Sequence, residues 1–176
     1  DQKQHIEMTR DIASRFNSAY GLFFNLPEPV IDKNIPLLPG IDGEKMSKSY
    51  SNYIELFSTE KKLQKQINQI KTNSLEPGEK KPTDSVLFKY FSCFSDGNNL
   101  REFRKLFEDG MGWGDLKKEL FVLINSEIEP YRDKYFSLLE NSKKVEEVLN
   151  EGEEKAIKIA SENLKLIREL IGIKPL

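Results

Sequence analysis

The sequence predicts a mainly α-helical protein that opens on a short α/β remnant, and three observations carry this. After Tyr53 apolar residues fall at helical spacing almost throughout. Before it, Leu22-Phe23-Phe24 and the run from Ile35 to Leu38 are short apolar stretches bounded by proline, asparagine and glycine, which read as strands following a helix. A composition of 38% hydrophobic and 32% charged residues, with eleven Phe and six Tyr beside a single Trp, supplies the bulk for a packed core.

Taken in order, Ile6, Ile12, Phe16, Ala19 and Tyr20 predict a first helix, with Gly21 placed for a positive-φ stop. The domain change is placed at Tyr53, giving segments 1–53 and 54–176. Leu63, Ile67 and Ile70 predict the next helix, capped at Ser58 with Glu60 in its first turn. Pro77-Gly78 and Pro82 mark a loop, and Asp84 starts an aromatic-rich helix through Val86, Leu87, Tyr90, Phe91 and Phe94 that ends in Ser95-Asp96-Gly97-Asn98-Asn99. Leu100, Phe103, Leu106 and Phe107 give a short helix stopped at Gly110. Asp115 is a candidate cap for one running through Leu116, Leu120, Leu123 and Ile124, which Pro130 should bend or restart. Asn141 or Ser142 caps a segment with Val145, Val148 and Leu149. Gly152 is expected to separate it from a last helix bearing Ala156, Ile159, Ala160, Leu164, Ile167 and Ile171.

Composition excludes several functions. With His5 the single histidine and Cys93 the single cysteine, neither a multi-histidine metal site nor a disulfide framework can be built, so lysines, carboxylates, amides and backbone must carry any chemistry. Between Phe91 and Phe94, Cys93 reads as a buried thiol, and His5 as a helix-start packing or capping residue. A net charge of -2 excludes a generally basic nucleic-acid binder and leaves room for a local basic face. Lys61, Lys62, Lys65, Lys71, Lys80 and Lys81 against Glu60, Glu76 and Glu79 form such a local excess, which reads equally as a solvated helix face or a surface for nucleic-acid phosphates. No apolar run approaches the roughly 18 to 20 residues of a membrane span and no leader precedes Asp1, so a cytoplasmic protein is expected, with its native start upstream because residue 1 is not Met.

The segment with the clearest chemistry is Lys45-Met46-Ser47-Lys48-Ser49. Two ammonium groups three residues apart, with hydroxyls between and Pro39, Gly40 and Gly43 nearby, suit a mobile clamp on a polyphosphate. At the N-terminus, the Gln2 amide is able to donate to a carboxylate and accept from an ammonium, while Asp1 is able to bind hydroxyls or pair with a lysine.

Residues 45–49 match the signature KMSKS loop of class I aminoacyl-tRNA synthetases letter for letter, and Gly40-Ile41-Asp42-Gly43 and Tyr50-Ser51-Asn52 resemble its flanks in the tryptophanyl and tyrosyl group. Asp1-Gln2-Lys3-Gln4-His5 resembles the tryptophanyl Gly-Glu-Asp-Gln-x-x-His block without its first two residues. Gly112-Trp113-Gly114-Asp115-Leu116-Lys117-Lys118, Glu129-Pro130-Tyr131-Arg132 and Gly152-Glu153-Glu154-Lys155-Ala156 are similar to tryptophanyl C-terminal domains, an order that argues against the tyrosyl sister family.

The resemblance implies a C-terminal remnant of a Rossmann-like α/β nucleotide-binding domain over 1–53, then an all-helical anticodon-binding bundle over 54–176. It implies a ligase that activates tryptophan with ATP and Mg2+ and transfers it to tRNA(Trp), as a homodimer when full-length and a monomer as this piece. Lys45 and Lys48 would be catalytic, Asp1, Lys45, Met46, Ser47, Lys48 and Ser49 would bind ATP, and Gln2 the amino acid. The His-Ile-Gly-His segment and the indole pocket would lie upstream, so this stretch alone is not expected to make adenylate. The alternatives are tyrosyl specificity and a noncatalytic helical tRNA-binding module.

Overall fold

Helical periodicity becomes helix throughout the computed structural model, which describes residues 2–31 and 37–173. Among these residues there are six helices and no strand: α1 (Lys3–Tyr20), α2 (Glu60–Asn68), α3 (Val86–Phe94), α4 (Gly97–Glu108), α5 (Trp113–Glu140) and α6 (Ser142–Leu170). The mainly α class holds. The chain divides into two compact units, one of Asp32–Ser137 and one of Asp1–Ile31 with Leu138–Leu176.

In the unit of residues 32–137, α2 to α5 bury their apolar stripes together. Leu63, Ile67, Leu87, Phe91, Phe107, Leu116, Leu120 and Ile124 are essentially sealed from solvent. Burying each such side chain contributes about 1.5–3 kcal/mol relative to exposure, which is what pins these short helices. Edge-on aromatic packing of Phe107 against Phe88, Phe91 and Trp113 closes the centre.

The helix starts differ from expectation by a residue or two. Thr59, not Ser58, caps α2 by accepting from the Lys62 N–H. Ser58 is drawn inward instead, its carbonyl accepting from Arg132 Nε at 3.0 Å. Ser85 caps α3 in place of Asp84. Gly97 to Asn99 begin α4 where a break was expected, and Asp115 lies in the first turn of α5, where its charge suits the helix dipole without being the cap. Gly110 ends the α4 segment as expected. At φ +80° with Gly78 pressed against it, an added Cβ would lie 2.6 Å from the Gly78 carbonyl carbon, so only glycine fits.

Helix α5 continues through Pro130 without restarting. Pro130 and Ser126 are both exposed, so the carbonyl that proline leaves unpaired meets water. Two residues on, the Arg132 guanidinium also donates to Asn125 Oδ1 at 2.7 Å and faces Glu60 at 3.6 Å, fastening α5 to the start of α2.

Two polar residues are placed opposite to expectation. Lys81 is fully buried, its ammonium donating to the carbonyls of Glu76 at 2.5 Å and Glu79 at 2.7 Å beneath the Trp113 ring, so it is no part of a basic surface. Cys93 is exposed: α3 turns Leu87, Tyr90 and Phe91 inward and puts Cys93 on the outer side with Lys89, four residues earlier.

In the other unit, Gly21 (φ +95°) ends α1. The strand expected at Leu22 to Phe24 is absent. Asn17 Oδ1 accepts from both the Phe23 and Phe24 N–H groups while its amide donates to the Phe24 carbonyl, which satisfies by side chain what a strand would satisfy by pairing. Phe16, Tyr20, Phe23 and Phe24 cluster around this turn. Of the second expected strand, Ile35 and Pro36 lie outside the described residues, and Leu37 and Leu38 are in no strand. Helix α6, capped by Asn141 as expected, runs unbroken through Gly152 and buries none of its residues. One glycine costs a helix about 1 kcal/mol against alanine, too little to end one of this length. Among the described residues no helix is long and apolar enough to cross a membrane.

Candidate functional site

Residues 39–53 lie outside helix and strand, as expected of the lysine-bearing segment. A single antiparallel bridge joins Pro39 to Lys45, and the Gly40 N–H donates to the Glu44 carbonyl at 2.8 Å, closing a tight turn through Gly43 at φ +91°. Apolar side chains fix its underside, with Leu38, Ile41, Met46 and Ile54 packed against the helical core. Two hydrogen bonds root it in the same unit, the Lys71 N–H donating to the Ile41 carbonyl at 2.7 Å and the Tyr90 hydroxyl to the Pro39 carbonyl at 2.8 Å, while the Ile41 N–H closes the segment on itself at the Asn52 carbonyl at 2.8 Å. Burial pushes the Tyr90 phenol up to about 12, so it remains a neutral donor near neutral pH.

Met46 points down into this base and the Lys45 and Lys48 side chains are exposed above it. Ser47 is half-buried, and its hydroxyl accepts from the Ser49 N–H at 3.2 Å. The Ser51 N–H returns to the Lys48 carbonyl at 3.1 Å. Beside Lys45 opens a cleft of about 560 Å³ whose charged lining comprises Lys45, Lys89 and Arg104 against Glu44 and Asp84. Cations on exposed stems over a fixed backbone suit reversible contact with anionic oxygens.

Asn52 is the buried polar residue of the segment, 3% exposed. Its amide nitrogen donates to Asp42 Oδ1 at 2.9 Å and to the Lys45 carbonyl at 3.1 Å, and its Oδ1 accepts from the Ser47 N–H at 2.8 Å. Asp42 also accepts from the Glu44 N–H at 3.0 Å. That backbone bond, with the Asn52 amide as a smaller contribution, holds the Asp42 carboxyl below its ordinary range. In the sequence Asp42 and Asn52 stand out only as flanks of the motif.

The structure brings Lys45, Met46, Ser47, Lys48 and Ser49 together in one turn of chain. Gln2 belongs to the other compact unit, where its carbonyl accepts from the His5 and Ile6 N–H groups at the start of α1 and its exposed side chain makes no capping bond. His5 itself is exposed in that first turn and does no packing. Asp1 lies outside the described residues. Of the basic face, Lys61 and Lys65 are exposed, Lys62 is paired with Glu55, and Lys80 lies 3.9 Å from Glu108.

Residues 1–164 match the family described as tRNA synthetases class I (W and Y). The chain belongs to this family. A tryptophan–tRNA ligase of Neisseria meningitidis is 48% identical over all of this chain, which spans 53% of that protein. One from Pseudomonas syringae is 42% identical over 99% of the chain, which spans 40% of it. Among solved structures, the tryptophanyl-tRNA synthetase of Campylobacter jejuni complexed with ADP and tryptophan is 40% identical with a TM-score of 0.74, over 97% of this chain and 54% of that one. The Mycoplasma pneumoniae tryptophanyl-tRNA synthetase, at 22% identity, shares the fold with a TM-score of 0.75 over 98% of this chain and 54% of its own. The chain thus spans about half or less of the class I relatives it matches.

Proposed function

We propose that this chain is the C-terminal part of a tryptophan–tRNA ligase, which activates tryptophan with ATP and transfers it to tRNA(Trp) in the cytoplasm. The observation that carries the reading is the KMSKS string on an exposed turn whose backbone is rooted in a helical core, Lys45 and Lys48 facing outward. Support comes from relatives named tryptophan–tRNA ligase and from a neighbour complexed with ADP and tryptophan. Residues 1–53 are read as the end of the nucleotide-binding domain and 54–176 as the anticodon-binding bundle. The full-length protein is read as a homodimer.

In the first step the tryptophan carboxylate attacks the α-phosphorus of ATP, forming the adenylate and releasing pyrophosphate. Charge grows on the departing pyrophosphate, and the Lys45 and Lys48 ammonium groups stabilise it there more than in the bound substrate. Met46, Ser47 and Ser49 shape the ATP contact, Gln2 holds the amino acid and Asp1 meets the ribose. In the second step the terminal ribose hydroxyl of the tRNA takes the acyl group and AMP leaves. Among the described residues no three His, Cys, Asp or Glu side chains gather to hold a metal. The Mg2+ ion is read as travelling with the polyphosphate.

The test is tryptophan-dependent pyrophosphate exchange in the full-length protein carrying this chain. Lys45→Ala and Lys48→Ala should each slow it by roughly two to three orders of magnitude, the usual loss of one transition-state donor. Exchange at the parent rate in both variants would overturn the reading, and exchange supported by tyrosine instead would move it to the sister specificity.

A further inference from the structure

We propose that Asn52 is the positioning residue of the lysine-bearing turn, its carboxamide fixing the backbone on both sides of Met46. The catalytic consequence rests on the function proposed above, whereas the structural claim does not.

One amide reaches Lys45 and Ser47, which bracket Met46, and so sets the backbone from which the first ammonium stem rises. The amide's orientation is not arbitrary. Asp42 is an acceptor when ionised, so it selects the rotamer that points the nitrogen toward itself and toward the Lys45 carbonyl, leaving the oxygen for the Ser47 N–H. The flipped amide would set oxygen against two acceptors and nitrogen against a donor.

Two further features give Asn52 its place. A Cβ on Gly40 would lie 2.3 Å from the Asn52 amide nitrogen and 2.9 Å from its carbonyl oxygen, so the glycine makes the space. Ser51, alone among described non-glycine residues, takes a positive φ, +51°, turning the chain inward just before Asn52. A left-handed serine, a clearance glycine and a carboxylate converge on one side chain.

Long lysine stems lose rotamer freedom when they grip a ligand, so a backbone already set lowers what remains to be ordered as the transition state forms. Asn52 touches no reacting atom in this account, and its effect runs through Lys45 and Lys48.

The experiment pairs two measurements on Asn52→Ala, Asn52→Asp and the exchange D42N/N52D. In the 176-residue chain, limited trypsin digestion reads cleavage after Lys45 and Lys48, with thermal melting as control. In the full-length protein, pyrophosphate exchange reads kcat and the KM for tryptophan. N52A should speed cleavage after Lys45 at least about fivefold and lower kcat roughly 10- to 100-fold with KM unchanged, the usual cost of misplacing a catalytic group by about 1 Å. N52D should be no better, because two carboxylates would face each other. D42N/N52D restores the pairing of the two side chains and the Ser47 contact but not the donor to the Lys45 carbonyl, so it should recover part of the lost kcat, up to about tenfold. Parent-like cleavage with N52A overturns the structural claim. A kcat loss matched by a fall in melting temperature, with no recovery in the exchange variant, overturns the positioning role. Indifference of pyrophosphate exchange to both lysine substitutions would defeat the proposed function, and the cleavage rates would still decide whether Asn52 fixes the turn.

Discussion

Within the unit of residues 32–137, the helical part and the lysine-bearing turn are held by opposite means. Across α2 to α5, with Ile70 just past α2, a dozen buried side chains share one interior, and none alone decides the shape. From Pro39 to Asn52 the chain rests on the core through Ile41 and Met46, but its backbone course is set by concentrated polar contacts, with a single carboxamide joining Asp42, Lys45 and Ser47. Distributed apolar contact gives stability that tolerates local change. Directional hydrogen bonds give one backbone geometry and fail at one residue.

The contrast can be broken most forcefully from the apolar side. Leu120→Ala in the 176-residue chain should cost about 2–5 kcal/mol of unfolding free energy by chemical denaturation, since Leu120 is fully buried and leaves a cavity. Below the transition, trypsin cleavage after Lys45 should not change, and a parallel rise would show that core and turn are not held separately. Tyr90→Phe sharpens the comparison because Tyr90 serves both parts. Its ring is in the core and its hydroxyl meets the Pro39 carbonyl, so the substitution should cost about 1 kcal/mol. The loss should coincide with faster exchange of amide protons at the root of the turn. Protection there equal to the parent's would make the bond incidental.

The smallest effect is with pH. A carboxyl held below its usual range in the folded chain contributes most above its unfolded value, near 3.9, and its contribution is lost as pH falls through the lowered folded value. The Asn52 carboxamide protons, followed by NMR, should therefore shift with a midpoint below about 3.9. A midpoint above about 4 would mean that Asp42 gains nothing from its neighbours. No loosening of the turn is expected between neutral pH and mild acid.

Much of the fold was legible because helical burial repeats locally. Leu63 with Ile67, and Leu116 with Leu120 and Ile124, stand four residues apart and reach the core as their spacing predicts. Of the two candidate caps, Asn141 and Ser142, the amide takes the role and the serine is the first residue of the helix. Thr59 and Ser58 were not separable by sequence, because adjacent hydroxyls serve equally well until Arg132, 74 residues away in the chain, claims the Ser58 carbonyl. Leu22 to Phe24 looked like a strand because the run is apolar, and nothing in the run itself reveals that Asn17 takes its backbone groups. At the site, the five-residue string was plain and its support was not, for Asp42 and Asn52 lie ten residues apart with no periodicity to join them.

By itself, then, the sequence determined where α2 to α5 form, the apolar stripes they bury and the turn that carries two lysines, because apolar periodicity and short motifs are local properties of the chain. The tertiary structure alone decided which polar groups go inside: Lys81 under Trp113, Arg132 against Ser58, Asn52 beneath the lysines. A polar side chain is stable in the interior only where distant partners satisfy its hydrogen bonds, and those partners meet only when the chain has folded.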